Sequence, residues 1–380
     1  MIALSDFEII RPPYETAQNA TLEWLGRAHV KAESVLQGTE IDHPTMESFH
    51  IQIQAAIARV GCKASQIQKR GHVLPDFLHS DWDNMHLFQL STIPTGLQLD
   101  HRSLIFDKIV TGIFEQFFLP SSPAPDDLIH VTCTGYLAPS GAQKLVSLRK
   151  WTDRTIVTHA YHMGCYGAIP ALRIAQGFQF AGRTHGQIVH TELCSLHANP
   201  SLHAADQLVC QTLFADGFIK YRIGTQVDVP HFRLLAIHEQ LIPDSQWAMS
   251  WNLSSWGFEM SLAKEIPSLI TASLKDAFLQ LCKKVGLSYE EMISNALFAI
   301  HPGGPKIIRM IQNHLGLQEG QIRHSTFILQ NYGNMSSATL PHIWNAILQD
   351  DLIQPGSLVI SFAFGPGLTF CGTVMEKCGS

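Results

Sequence analysis

Residues Thr158–Gly177 read THAYHMGCYGAIPALRIAQG. Just before and into them, Thr155-Ile156-Val157-Thr158 is a β-branched run that predicts a strand. After it, Ile169, Leu172, Ile174 and Ala175 predict a mostly apolar helix, with Pro170 tolerated near its start and Gly177 as a stop. Between strand and helix sits Cys165, flanked by Gly164 and Gly167, small residues that permit a sharp turn and a close ligand. A thiol at the start of a helix has its thiolate favoured by the helix dipole and by unpaired backbone N–H groups. From this stretch alone Cys165 reads equally as a nucleophile and as a small buried hydrophobe.

The remaining composition narrows the class. The chain has 380 residues, enough for two domains or two fused halves. It is 46% hydrophobic and only 15% charged, against roughly 25% charged in a typical soluble domain. So low a charge content implies a large interior or a subunit interface, and a homodimer is expected. The net charge of −6 and the lack of a basic run argue against a nucleic-acid partner. No apolar stretch reaches the roughly 18 residues of a membrane span. The opening MIALSDFEIIRPPYE lacks a basic n-region and a cleavage site, so a cytoplasmic location is expected. The eight cysteines are scattered without a CxxC pair, which suits reduced thiols better than disulfides or zinc. No metal site and no bound cofactor are expected.

Strand and helix patterns alternate along the chain. Helices are predicted over 16–28, 45–60, 105–118, 142–150, 266–285, 306–314 and 336–348, and strands over 7–10, 128–132, 186–197, 218–223, 232–238, 297–300, 358–364 and 368–375. Each half contains strand–helix–strand units and finishes in paired strands, as a duplicated α/β unit would. The polar stretch Thr225–His231 is the expected seam, giving an N-terminal half of residues 1–225 and a C-terminal half of 226–380. Lys63, Lys69 and Arg70 form a small basic cluster, either a solvated helix end or a dock for the phosphates of coenzyme A.

Two further residues sit like Cys165 at element junctions beside glycine or proline. His301 heads HPGGP after the apolar run Leu297–Ile300, and Asn334 ends NYGN. Alone, His301 reads as a capping or satisfied core histidine and Asn334 as a turn residue. Nucleophile, base and amide donor need only converge in space, so spacing does not decide between readings.

The stretches MGCYGAIPALRIA, AIHPGGPKII, NYGNMSSAT and FAFGPGLT, with VTCTGYLAPS at 131–140 and LFADG at 213–217, resemble in order the type III polyketide synthases. These form the chalcone-synthase-like branch of the thiolase superfamily. The resemblance implies an α/β fold, the thiolase-like five-layer αβαβα arrangement of two related halves, and a homodimer. It also implies a Cys165–His301–Asn334 triad working on an acyl-CoA starter and malonyl-CoA. Phe214 falls on the first gatekeeper aromatic, and Gly365-Pro366-Gly367 on the loop that shapes the cavity. His301 taking the proton of Cys165 would leave a thiolate–imidazolium pair.

The chain departs from the plant pattern at several positions. Met260 stands at the second gatekeeper, and a flexible methionine would loosen the entrance. His197 stands where a small threonine is common, and would add a polar, titratable wall or lie on the surface. Cys133 and Cys194 replace hydroxyl residues and make the cavity less polar. These changes imply a bacterial-type enzyme with an aliphatic starter and an alkylpyrone or alkylresorcinol product. A single-round ketoacyl synthase fed by an acyl carrier protein, and a non-catalytic acyl or CoA binder, are the competing readings.

Overall fold

The computed structural model describes residues 2–38, 43–225 and 228–379. Its strands are β1 (Ala3–Ile10), β2 (Tyr14–Ala17), β3 (Lys69–His72), β4 (Asp127–Thr132), β5 (Ile156–Tyr161), β6 (His185–Leu193) and β7 (Asp216–Gly224). They continue with β8 (His231–Leu241), β9 (Met249–Leu253), β10 (Phe258–Leu262), β11 (Leu297–Ile300), β12 (Leu358–Gly365) and β13 (Thr369–Cys378). Nine of them form one sheet in the order β11-β12-β13-β8-β1-β7-β6-β4-β5, with β2–β3 and β9–β10 as separate two-stranded ribbons. The strands before the seam thus occupy one side of the sheet and those after it the other. Strand β1 joins them, antiparallel to β7 along much of its length and to β8 through Ala3 and Leu4. The boundary expected between 225 and 226 falls on Gln226 and Val227, which lie outside the described residues.

The layering follows from side-chain alternation along these strands. Ile129 and Val131 of β4 and Ile219, Tyr221 and Ile223 of β7 point into the same core as Val359 and Ala363 of β12 and Cys371 and Met375 of β13. Between them lie the helices Ala168–Phe180 and Thr339–Leu348. The first packs on β4 and β13 and the second on β7 and β11, so each touches strands of both halves. The opposite faces carry Leu128, Val189 and Phe218 toward the helices Leu99–Phe117 and Gly141–Leu148. On the other half, Phe298, Ile360 and Val374 face the helices Ile266–Val285 and Pro305–Leu315. The result is the five-layer α/β arrangement: helices, sheet, two central helices, sheet, helices.

Local chemistry sets most boundaries. Ser140 and Ser288 close capping boxes with Gln143 and Glu291. Gly286 and Gly316 end their helices in the left-handed region. The segment read as one strand over 186–197 departs from expectation: β6 stops at Leu193, and Cys194–His197 is a 3-10 turn. Asp216 enforces that turn by accepting from Ser195 N at 2.8 Å and Ser195 Oγ at 2.6 Å. The Lys69–Arg70 cluster, read as a helix end, lies in β3.

Trp344 anchors the central layer, fully buried with its Nε1–H donated to Ser361 Oγ at 2.9 Å. Trp344→Ala is expected to lower unfolding free energy by about 3–5 kcal/mol through lost packing and the cavity left behind. The shift of the denaturant midpoint at unchanged slope measures it.

Candidate active site

The turn that presents Cys165 is Gly164–Tyr166, a single 3-10 turn leading into the helix Ala168–Phe180. Gly164 has φ +79°, and a Cβ there would sit 2.9 Å from Pro366 Cδ. A Cβ on Gly365 would lie 2.3 Å from the Tyr166 ring. The Gly365-Pro366-Gly367 loop therefore packs against the back of the cysteine turn, and none of its three residues lines either cavity described below. The loop expected to shape the cavity thus lies behind the cysteine turn rather than in the lining of either cavity.

His301 follows β11, its backbone N–H donating to Phe362 O of β12 at 2.8 Å. The ring is buried, and neither Nδ1 nor Nε2 has a protein partner. Asn334 follows Gly333, which has φ +73° and where a Cβ would sit 3.1 Å from both Arg70 Cγ and Leu213 O, too tight without a shift of its neighbours. Asn334 pairs with the backbone around Phe214: its N–H donates to Leu213 O at 3.1 Å, and its carbonyl accepts from Ala215 N at 2.9 Å. Its side-chain Oδ1 accepts from Ser336 N at 2.9 Å and Thr339 Oγ1 at 3.3 Å. Those donors fix the amide orientation and leave Nδ2–H₂ buried without a protein acceptor.

Two cavities meet at this point. The outer one is lined by Cys165, His301, Asn334, Phe214 and Met260, and its rim carries Arg59, Lys63, Lys264, Lys306 and Arg309. The inner one is lined by Cys133, Cys165, Cys194, His197, Trp251, Phe258 and Ser336, among others. Cys165, Phe214 and Met260 border both. The structure thus brings the three triad candidates together, with both gatekeeper candidates where the cavities join.

Burial controls protonation here. It pushes the Cys165 thiol up to about 12, with hydrogen bonds from Ser336 and Asn334 opposing the shift and the Glu192 charge adding to it. It holds the His301 imidazole down to about 3. Burial thus opposes the charged pair expected from sequence at both groups. A charged His301 would lose its water without gaining a bonded partner, and at Cys165 the bonds from Ser336 and Asn334 offset only part of that loss.

The other expected residues divide. His197 lines the inner cavity, but Phe258 N–H donates to its Nδ1 at 3.0 Å and its Nε2–H donates to Thr134 O at 2.9 Å. Its ring stacks on Phe258 at 4.5 Å. Burial holds it down to about 3, so it is a neutral strut rather than a titratable wall. Cys133 contacts Ser336 Oγ at 2.8 Å, and its N–H donates to Glu192 Oε2 at 3.0 Å. Of the three cations assigned to coenzyme A, only Lys63 lines the outer cavity. Lys69 pairs with Glu15 at 2.7 Å. Arg70 is buried and donates to Gln18 Oε1, Gln211 O and Phe214 O, at 2.9, 2.9 and 2.6 Å, so it holds the gatekeeper segment from behind. Sequence reasoning missed Glu192, whose carboxylate also takes bonds from Thr134 Oγ1 at 3.0 Å and from Ser337. The one signal was an acidic residue ending an apolar strand. Among the described residues no group of three His, Cys, Asp or Glu side chains could hold a metal ion.

Residues 233–378 match the family model for the C-terminal domain of chalcone and stilbene synthases. That part of the chain is similar to the C-terminal domain of those enzymes. The chain is 31% identical over 256 residues, 66% of its length, to a probable polyketide synthase of Dictyostelium discoideum, and spans 8% of that much longer protein. The fold is that of solved type III polyketide synthases. The C-terminal type III domain of Steely1 from Dictyostelium aligns with TM-score 0.80 and 22% identity, covering 100% of this chain and 99% of that one. PKS-I from the brown alga Ectocarpus siliculosus aligns at 0.82 and 20%, covering 99% and 98%. The 1,3,6,8-tetrahydroxynaphthalene synthase of Streptomyces coelicolor aligns at 0.79 and 21%, covering 100% of both.

The upward push of burial on Cys165 makes a direct prediction. Because the thiol is raised, the thiolate fraction should climb about tenfold per pH unit from neutrality toward its pKa. Iodoacetamide labelling of Cys165 in the free protein should follow that slope. A rate that plateaus near neutral pH would mean a pre-formed thiolate–imidazolium pair instead.

Proposed function

We propose that this chain is a type III polyketide synthase that holds an acyl starter on Cys165 and extends it with malonyl-CoA. The observation that carries the reading is the convergence of Cys165, His301 and the unpaired Asn334 amide where a cation-rimmed outer cavity joins a closed inner one.

The roles follow from the geometry. The outer cavity takes the coenzyme A portion, with Lys63 and the neighbouring cations facing its phosphates. His301, neutral and without a partner, accepts the Cys165 proton as sulfur attacks the thioester carbonyl, and the CoA thiolate leaves with a proton. Malonyl-CoA then loses carbon dioxide, and negative charge builds on its thioester oxygen. Asn334 Nδ2–H and a His301 N–H are donors placed for that oxygen, each worth ~3 kcal/mol in comparable sites. The resulting carbanion attacks the Cys165 thioester, and the lengthened chain occupies the inner cavity between Phe214 and Met260.

The lining supports an aliphatic starter and an alkylpyrone or alkylresorcinol product, as in a bacterial-type enzyme. Cys133, Cys194, Cys210, Phe77, Phe258 and Met260 present mostly soft, apolar surface. A homodimer acting in the cytoplasm, on coenzyme A thioesters and without a bound cofactor, completes the proposal. Among the described residues no helix is long and apolar enough to cross a membrane.

Incubation with fatty acyl-CoA and labelled malonyl-CoA should yield polyketide pyrones or resorcinols, and Cys165→Ala should abolish them. Asn334→Ala should leave acylation of Cys165 intact while lowering turnover by about 10²–10³-fold. Mass spectrometry of the chain on Cys165 separates the alternatives: repeated two-carbon additions support the iterative synthase. A single addition, delivered only from an acyl carrier protein, would replace it with a ketoacyl synthase. Absence of any acyl-cysteine would leave a non-catalytic binder.

A further inference from the structure

Two buried polar atoms on the inner cavity have no role in the chemistry above. Both belong to β3, where residues two apart share a face. Arg70 and His72 are 2% and 1% exposed, and both line the inner cavity. The Arg70 Nε and Nη1 donors are taken by Gln18, Gln211 and Phe214, whereas Nη2 has no protein partner.

The tautomer of His72 follows from a short chain of hydroxyls. Thr21 Oγ1 donates to Ala17 O at 3.3 Å, so it accepts from Thr16 Oγ1 at 2.7 Å. Thr16 Oγ1 has then given its proton, and it accepts from His72 Nε2–H at 2.8 Å. The ring is further held by stacking on Phe77 at 4.1 Å, another residue of the cavity lining. Nδ1 is left as a bare acceptor, also without a protein partner. Burial and the Arg70 charge keep the ring neutral, which preserves that lone pair.

One wall of the inner cavity therefore offers a charged donor and a neutral acceptor from the same strand face. A methyl-ended chain would leave both unpaired, at a cost for each buried group. A ketone oxygen would satisfy Arg70 Nη2 and leave His72 Nδ1 bare. A carboxylate would suit Arg70 but set a negative charge against the Nδ1 lone pair. A hydroxyl matches both, accepting from Nη2–H and donating to Nδ1.

We propose that Arg70 and His72 form a hydroxyl-recognition subsite, so that the preferred starter is an aliphatic acyl group bearing a hydroxyl along its chain. This rests on the reading of the inner cavity as the pocket for the acyl chain.

The test separates binding from turnover. Cys165→Ala protein is titrated calorimetrically with saturated acyl-CoAs of equal length carrying a hydroxyl at successive carbons, a keto group, a terminal carboxylate, or no oxygen. One hydroxyl position should bind at least about tenfold tighter than the unsubstituted chain, since sites built for a hydroxyl discriminate strongly against its absence. His72→Phe keeps the stacked ring and should bring that preference to within about twofold. Thr16→Val leaves the ring in place but releases the Nε2–H, and should weaken the same preference. Equal binding of all chains, a keto or carboxylate preference, or a hydroxyl preference untouched by both variants overturns the subsite. Wild-type condensation with malonyl-CoA is scored in parallel. Condensation without hydroxyl discrimination defeats the subsite alone, and discrimination without condensation defeats the synthase reading alone.

Discussion

Two backbone hydrogen bonds, Asn334 N–H to Leu213 O and Ala215 N–H to Asn334 O, tie the halves of this protein together at the site. One partner supplies the amide that faces the outer cavity, and the other carries Phe214, the residue between the cavities. Arg70 clamps the same segment by donating to Phe214 O, and Gly333 lets the two chains approach. The Asn334 amide and the Phe214 segment are consequently held in one paired unit. A residue in either half that loosens this pairing displaces both, which is why the glycine before Asn334 matters as much as the asparagine.

Around that unit the protein leaves polar atoms unpaired where it could have paired them. His301 Nδ1 and Nε2, Asn334 Nδ2, Arg70 Nη2 and His72 Nδ1 are all buried without a protein partner. Such groups typically cost about 1–3 kcal/mol each, and the three packed cores on either side of the sheets hold them in place. By contrast the half-buried His197 and the buried Glu192 are engaged with backbone and hydroxyl groups. The contrast separates residues that hold shape from residues left available to a ligand.

Much of this was legible in the sequence, and the reasons differ by element. The helix Ile266–Val285 and the strand Leu297–Ile300 are recovered to the residue, because apolar spacing and flanking proline or polar residues mark both ends. Cys165, His301 and Asn334 were recognisable from glycine-bordered junctions and ordered motifs. The roles of Arg70, His197 and Gly365–Gly367 were not. A basic residue in a polar run looks solvated until β2 pairs over it, and its burial depends on contacts with Gln211 and Phe214 far along the chain. The raised thiol of Cys165 was hidden for a similar reason: burial is a tertiary property, and it opposes the helix-start argument.

The contact of Pro366 with the back of Gly164 bears on how the protein is made. The residue that braces the cysteine turn comes two hundred positions later in the chain. A nascent or half-folded polypeptide lacks that brace, along with the histidine and the asparagine. Its Cys165 has no pocket around it, and burial has not yet raised the thiol. The surroundings that set the behaviour of Cys165 are therefore completed only when the C-terminal part of the chain has folded against it.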